Sequence, residues 1–222
     1  MIYRQFTTIL FFALLLATIY TSHGYSFMTV GDWGGAYFGG YHYKNALATS
    51  IAMKQWGDTN RAQFVLNTGD NFYYCGIQNT TDPQIIRDFT NVYSKVNIPW
   101  YNSLGNHDYG LHPEAQLSLD KILPNWIMDD RYYHRRFSFN NRNTTDCLNI
   151  IVLDTSPCVN DYRDNDRRKW DPCNYEFPTC GPIEGVCKFH ENVVAQNCSE
   201  QLAWFKNIVS LINSNEWLIV IG

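Results

Sequence analysis

Residues 64–73 read Phe64-Val65-Leu66-Asn67-Thr68-Gly69-Asp70-Asn71-Phe72-Tyr73, a short apolar run that ends at a glycine and delivers an aspartate and a tyrosine just beyond it. Apolar runs of this length bounded by a turn residue predict a buried strand. The pattern recurs on both sides. Upstream, Phe27 to Val30 leads into Gly31-Asp32-Trp33-Gly34; downstream, Pro99 to Leu104 leads into Gly105-Asn106-His107-Asp108. Singly, each motif also suits a turn or a helix cap. Together, three strand ends carry carboxylate, amide, phenol and imidazole groups. Hard and borderline cations take such ligands, and two neighbouring cations take one carboxylate as a bridge.

Helical patterns fill the intervals. Tyr43 to Trp56 carries Ala46, Leu47, Ile51 and Trp56 at helical spacing, with Gly57 as a stop signal. Asp82 and Pro83 read as N-cap and first position of a helix through Ile85, Ile86, Phe89, Val92 and Tyr93. A further helix is expected from Pro113 to Ile122. Tyr132 to Phe139 and Leu148 to Leu153 read as strands, Ser199 as the cap of an amphipathic helix through Leu202, Phe205, Ile208, Val209 and Ile212, and Trp217 to Ile221 as a last strand. Alternating strands and helices predict an α/β fold with a largely parallel sheet, in which ligands bind beyond the carboxyl ends of the strands.

The first 24 residues, with Arg4, an apolar stretch from Ile9 to Ile19 and then Ser22-His23-Gly24, have the layout of a secretory signal peptide. That stretch falls short of the roughly 20 residues of a spanning helix. After leader cleavage no membrane association is expected. The chain's net charge of −4, more negative by one without Arg4, offers no basic field for nucleic acid. Seven cysteines, six of them at Cys147, Cys158, Cys173, Cys180, Cys187 and Cys198, fit disulfides in an oxidising compartment better than zinc, because no Cys-x-x-Cys pair occurs. Sequons at Asn79, Asn143 and Asn197 mark glycosylation sites of a secreted or lysosomal glycoprotein. Between Pro157 and Asn197 there is no apolar periodicity, and an irregular excursion is expected there. Its charged stretch from Asp161 to Asp171 reads as a solvated loop, with a substrate-recognition loop as the alternative.

The order Asp-x-Gly, Gly-Asp-x-x-Tyr, Gly-Asn-His-Asp resembles the metallophosphoesterase superfamily, and Tyr73 narrows the likeness to purple acid phosphatases. Gly31-Asp32-Trp33-Gly34-Gly35, Gly69-Asp70-Asn71-Phe72-Tyr73, Pro99-Trp100-Tyr101 and Leu153-Asp154-Thr155 are similar to the small tartrate-resistant branch. The resemblance implies a layered α/β/β/α sandwich over residues 25–222. It also implies an acid phosphatase that hydrolyses phosphate monoesters through a metal-bound hydroxide at a di-metal centre of Fe(III) with a divalent Fe, Zn or Mn. In it, Asp32 ligates the ferric ion, Asp70 bridges both metals, Tyr73 binds iron as a phenolate that colours the protein purple, and Asn106 gives the divalent metal an amide oxygen. His107 orients the ester or protonates the leaving alkoxide, and Asp108 orients His107.

The resemblance also calls for three further histidine ligands, in a Gly-His segment and a Gly-His-x-His segment, and neither occurs in the 222 residues. His42, His112, His134 and His190 stand in no comparable motif and are expected to be surface or structural residues. The sequence is therefore expected to be incomplete at its C-terminus, the fragment alone to be inactive, and Cys158 to lack the partner that the branch supplies from beyond those histidines. The alternatives are a phosphodiesterase or nucleotidase of the same superfamily, or an inactive binding protein. Oligomeric state is not legible.

Overall fold

The computed structural model describes residues 25–34, 40–138, 147–164 and 187–222. The leader, Asn143 and the centre of the cysteine-rich excursion lie outside them. Strands β1 (Met28–Val30), β2 (Val65–Asn67), β3 (Trp100–Asn102) and β4 (Trp126–Ile127) form one sheet in sequential order, every neighbouring pair parallel. Helix α1 (Gly40–Asn60) connects β1 to β2. A wider helical turn, Ile85–Thr90, running into α2 (Asn91–Tyr93), lies between β2 and β3. Val30, Asn67 and Asn102 stand side by side in register. The three following loops therefore leave the sheet at one level, on one edge.

Strand alternation decides the layers. Met28, Val65, Trp100 and Trp126 share one register row, and this face meets the helices: Trp33 lies 5.3–6.2 Å, centroid to centroid, from Phe72, Phe89, Tyr93, Trp100 and Trp126. Such tilted and edge-on rings combine large apolar burial with favourable quadrupole contacts. Phe64 and Tyr101 point to the other face, where Phe137 sits 6.0 and 5.5 Å from them. Phe137 belongs to a second sheet, β5 (Tyr133–Ser138), β6 (Cys147–Val152) and β7 (Trp217–Ile221), with β5 antiparallel and β7 parallel to β6. All six residues of β6 are buried. Two sheets thus face each other, with helices outside the first, a mixed α/β arrangement with its parallel sheet as the sequence pattern predicts.

Several local expectations need correction. Helix α1 runs through Gly57 to Asn60, so this glycine does not end the helix; it stands against the Met28 methyl, 3.2 Å from where a Cβ would lie. The stretch from Pro113 breaks into α3 (Pro113–Gln116) and a 3-10 turn, Leu119–Lys121. The excursion ends in regular structure, with α4 (Asn160–Arg163) and α5 (Phe189–Val194), whose Phe189 and Val193 enter the core. Helix α6 (Cys198–Leu211) is capped by Asn197, whose side chain accepts a hydrogen bond from Glu200 N, rather than by Ser199. Leu202 and Leu211 on that helix are exposed.

Cys158 does have a partner. It is bonded to Cys198, with the Cα atoms 5.5 Å apart, because the first turn of α6 docks beside the turn that follows β6. Cys75 and Cys187 are disulfide-bonded as well. The same docking holds Asp154, 3% exposed: Asp154 N donates to Gln201 Oε1 at 2.7 Å and Gln201 Nε2 to Asp154 O at 2.9 Å. Its Oδ2 takes Tyr109 Oη and the Arg131 guanidinium, which also pairs with Glu114.

Burial pushes the Asp154 carboxyl up to about 6, against the pull of Tyr109 and Arg131. The folded chain then binds more protons than the unfolded one between about pH 4 and 6, so stability falls as pH rises through that window, by at most about 1.4 kcal/mol per pH unit from this group. Urea unfolding of Asp154→Asn, followed from pH 4 to 7, is expected to give a shallower decline than the parent over that window. An unchanged slope would contradict the assignment.

Candidate metal centre

The carboxyl ends of β1, β2 and β3 build the site. Asp32 N donates to Gly69 O at 3.1 Å, Thr68 N to Val30 O at 2.9 Å and Ser103 N to Asn67 O at 3.0 Å, so the loops stay hydrogen-bonded beyond the last paired strand residues. Asp32 and Asp70 both adopt left-handed backbone, with φ of 54° and 53°. Aspartate tolerates this region better than most residues, still at some cost, and such strain concentrates at working sites. Two glycines make the approach possible. A Cβ on Gly69 would lie 2.5 Å from Gly105 N, and one on Gly105 would lie 2.1 Å from Asp70 Oδ1.

Into this corner three oxygens converge. The Tyr73 hydroxyl donates to Asp32 Oδ1 at 2.5 Å and reaches Asp70 Oδ2 at 2.8 Å. Asp70 Oδ1 accepts His107 N at 3.1 Å. Asn106 lies between Gly105, whose backbone abuts Asp70, and His107, whose backbone binds it. The His107 ring lies tilted against that of Tyr73, 4.3 Å between centroids, and its Nδ1 stands 2.7 Å from the Tyr74 carbonyl oxygen. Asp32, Asp70 and Tyr73 are thus in direct contact, and His107 closes the group.

A profile of the calcineurin-like phosphoesterases matches residues 25–222. The chain belongs to this family. Tartrate-resistant acid phosphatase type 5 of Mus musculus is 35% identical over 132 residues, 58% of this chain and 40% of that protein. Purple acid phosphatase 3 of Arabidopsis thaliana is 35% identical over 143 residues, 62% of this chain and 35% of its own length. The chain therefore spans well under half of these relatives. Among solved structures, a dimetal phosphatase from Danio rerio superposes with a TM-score of 0.53 at 15% identity, over 89% of this chain and 69% of that one. The structure titled "GAP50 the anchor in the inner membrane complex of Plasmodium" gives 0.59 at 22% identity, over 87% and 53%. These two likenesses concern the fold.

The donor set at this corner fits a cation. Burial, with Asp70 and Asp32 beside it, drives the Tyr73 hydroxyl far above the ordinary tyrosine value, and burial raises Asp70 despite His107. Three acidic oxygens at hydrogen-bonding distance cannot all ionise unless a positive charge joins them, and a high-valent cation reverses the preference of each. Among the described residues no cluster of three or more His, Cys, Asp or Glu side chains has metal-binding geometry. The trio owes its third oxygen to a tyrosine. Asp32, Asp70 and Tyr73 could together hold a metal ion, and Asn106 stands in the adjoining loop between Gly105 and His107.

Asp108 plays another part than expected. It is fully buried, and its carboxylate accepts Asn71 N at 3.0 Å, Phe72 N at 3.1 Å, Gly105 N at 2.9 Å and Gln116 Nε2 at 2.8 Å. It ties the Asp70 loop to the Asn106 loop, while His107 Nδ1 stands against the Tyr74 carbonyl and none of these Asp108 bonds goes to the His107 ring. Burial and the neighbouring Asp70 raise its carboxyl to about 7, against the pull of these donors.

The sequence reading missed the amides underneath. Asn67 Nδ2 donates to Asn71 Oδ1 at 2.5 Å and to Asn102 Oδ1 at 2.8 Å; Asn71 Nδ2 donates to Ser103 O and Gln116 Oε1. Asn67, Asn71, Asn102 and Gln116 are all completely buried. The signal was present in Asn67 and Asn102, two amides on the last residues of adjacent strands. Asp108→Asn would turn an amide NH2 toward a ring of donors. The expected cost is at least about 2 kcal/mol, or a Tm lower by about 4–8 °C in the absence of metal, read by circular dichroism. An unchanged Tm with altered His107 behaviour would restore the orienting role.

Proposed function

We propose that this chain is the 25–222 domain of a secreted or lysosomal acid phosphatase that hydrolyses phosphate monoesters at a centre of Fe(III) and a divalent Fe, Zn or Mn ion, behind a leader of residues 1–24. The observation that carries the proposal is the contact of Tyr73 with both Asp32 and Asp70. A phenol in that position suits ferric iron, because only a strongly Lewis-acidic cation keeps a phenolate at low pH. The matches to tartrate-resistant and purple acid phosphatases support the same reading.

Asp32 and Tyr73 would hold the ferric ion, Asp70 would bridge and Asn106 would give the second ion a neutral oxygen. When bound, the metal pair supplies Lewis-acid polarisation of the phosphoryl oxygens and an activated water. The chain's own residues then orient and protonate. With Nδ1 engaged by the Tyr74 carbonyl, the Nε2 side of His107 is turned to the substrate. In its protonated form it donates to the ester oxygen, as an acid-active phosphatase needs. The metal charge, rather than the acidic surface, attracts the phosphate.

The proposed activity is that of a protein that holds both metal ions. Such a protein, loaded with iron, is expected to be purple and to cleave an aryl phosphate monoester at acidic pH. Tyr73→Phe should bleach the visible band, and His107→Ala should keep the band while lowering kcat about 100-fold or more. A colourless zinc or manganese protein that cleaves diesters, or one that binds metal without turnover, would overturn the proposal in favour of the diesterase or binding-protein reading.

A further inference from the structure

The metal chemistry leaves one feature of the sequence unused, the charged stretch that begins at Asp161. Its first residues form α4, and there Tyr162 and Arg163 are half-buried rather than solvated. Arg163 holds the helix in place. Its Nη1 donates to Pro157 O at 3.0 Å, Val193 O at 3.3 Å and Gln196 O at 3.3 Å, and its Nη2 to Val194 O at 3.4 Å. One guanidinium thus satisfies carbonyls at the C-terminal end of α5 and in the turn after β6, which fixes α4 against both.

Helix α5 is in turn fastened beside the metal corner. Lys188 N donates to Gly110 O at 2.7 Å, and Asn192 Nδ2 donates to Tyr109 O at 2.7 Å and Leu111 O at 2.8 Å. Tyr109 and Gly110 belong to the 3-10 turn that begins with His107, and Leu111 follows it. Phe189 of the same helix is buried, and the Tyr162 ring stands edge-on to it at 5.7 Å. Two anchored helices therefore bring Tyr162 toward the turn that carries His107. Burial raises the Tyr162 hydroxyl above the ordinary tyrosine value, and the charge of Asp70 adds to this more than that of the adjoining Asp161. The hydroxyl is thus within electrostatic reach of the metal corner and keeps its proton.

A phosphate site has a use for such a group. Ionised Asp32 and Asp70 offer acceptors only. A phosphate drawn in by metal ions still presents oxygens that take N–H or O–H donors, and a neutral phenol donates without a charge of its own. We propose that Tyr162 is a substrate-binding residue whose hydroxyl donates to a phosphoryl oxygen of the bound ester. This role rests on the phosphatase reading and adds to it a recognition group from outside the three strand-end loops.

The test compares the protein holding both metal ions with its Tyr162→Phe variant, which keeps the ring on Phe189 and removes only the hydroxyl. Inorganic phosphate is titrated by calorimetry, an aryl phosphate monoester is assayed for kcat and KM, and Tm is read by circular dichroism. Phosphate is expected to bind about 10-fold more weakly and KM to rise by a similar factor, with kcat within about 3-fold of the parent, as befits one lost hydrogen bond to a charged group. Tm should stay within about 2 °C. Unchanged phosphate affinity, or a weakened affinity accompanied by a Tm lower by about 4 °C or more, would assign Tyr162 a packing role and overturn the inference while the phosphatase reading stands. A parent that binds phosphate but cleaves no monoester would remove the phosphatase reading, and this role with it.

Discussion

Asp32, Asp70 and Tyr73 bring three oxygens with a tendency to negative charge within hydrogen-bonding distance of one another. In water such groups would separate. Here the backbone forbids it, because both aspartates stand in left-handed turns and the passage between their loops is only as wide as two glycines allow. Without a cation, the phenol keeps its proton and donates it to Asp32 Oδ1, with Asp70 Oδ2 beside it at 2.8 Å. A cation placed among them removes the need for that proton. The strain in the turns and the tight packing of Gly69 on Gly105 are the structural conditions of that exchange.

Holding such a cluster needs a rigid base, and the base is polar. Asn67, Asn71, Asn102, Gln116 and Asp108 form a buried hydrogen-bonded network directly beneath the three loops. A fully satisfied network of this kind fixes one arrangement, whereas a partly satisfied one would cost more than an apolar core. Apolar contacts surround it on both sides: the rings about Trp33 toward the helices, and Phe64, Tyr101 and Phe137 between the sheets. The raised carboxyls of Asp108 and Asp154 make the folded chain bind protons more tightly than the unfolded one at mildly acidic pH.

The parallel strands and the site at their carboxyl ends were legible because three apolar runs each stop at a glycine followed by a ligand-type residue. Tyr73 was singled out through the resemblance to purple acid phosphatases, and the structure brings its hydroxyl to Asp70 Oδ2. What stayed hidden was long-range. Gly57 carries the usual signal for a helix end, yet it stands inside α1, packed against Met28. Asp108 adjoins His107 in sequence, so an orienting role followed naturally. Burial, however, directs its carboxylate to backbone N–H groups from two other loops. Cys158 and Cys198 are 40 residues apart, and spacing alone held no hint of their pairing. Asn197 and Ser199 are both good caps, and the choice between them depends on where the disulfide starts the helix.

The most direct measurement is an anomalous-difference map from a crystal of the protein supplied with ferric ion, collected at the iron edge. The account predicts a peak bonded at once to Asp32, Asp70 and the Tyr73 phenolate oxygen, at distances of about 2 Å. Iron bound elsewhere, or bound with Tyr73 still donating its proton to Asp32, would contradict it.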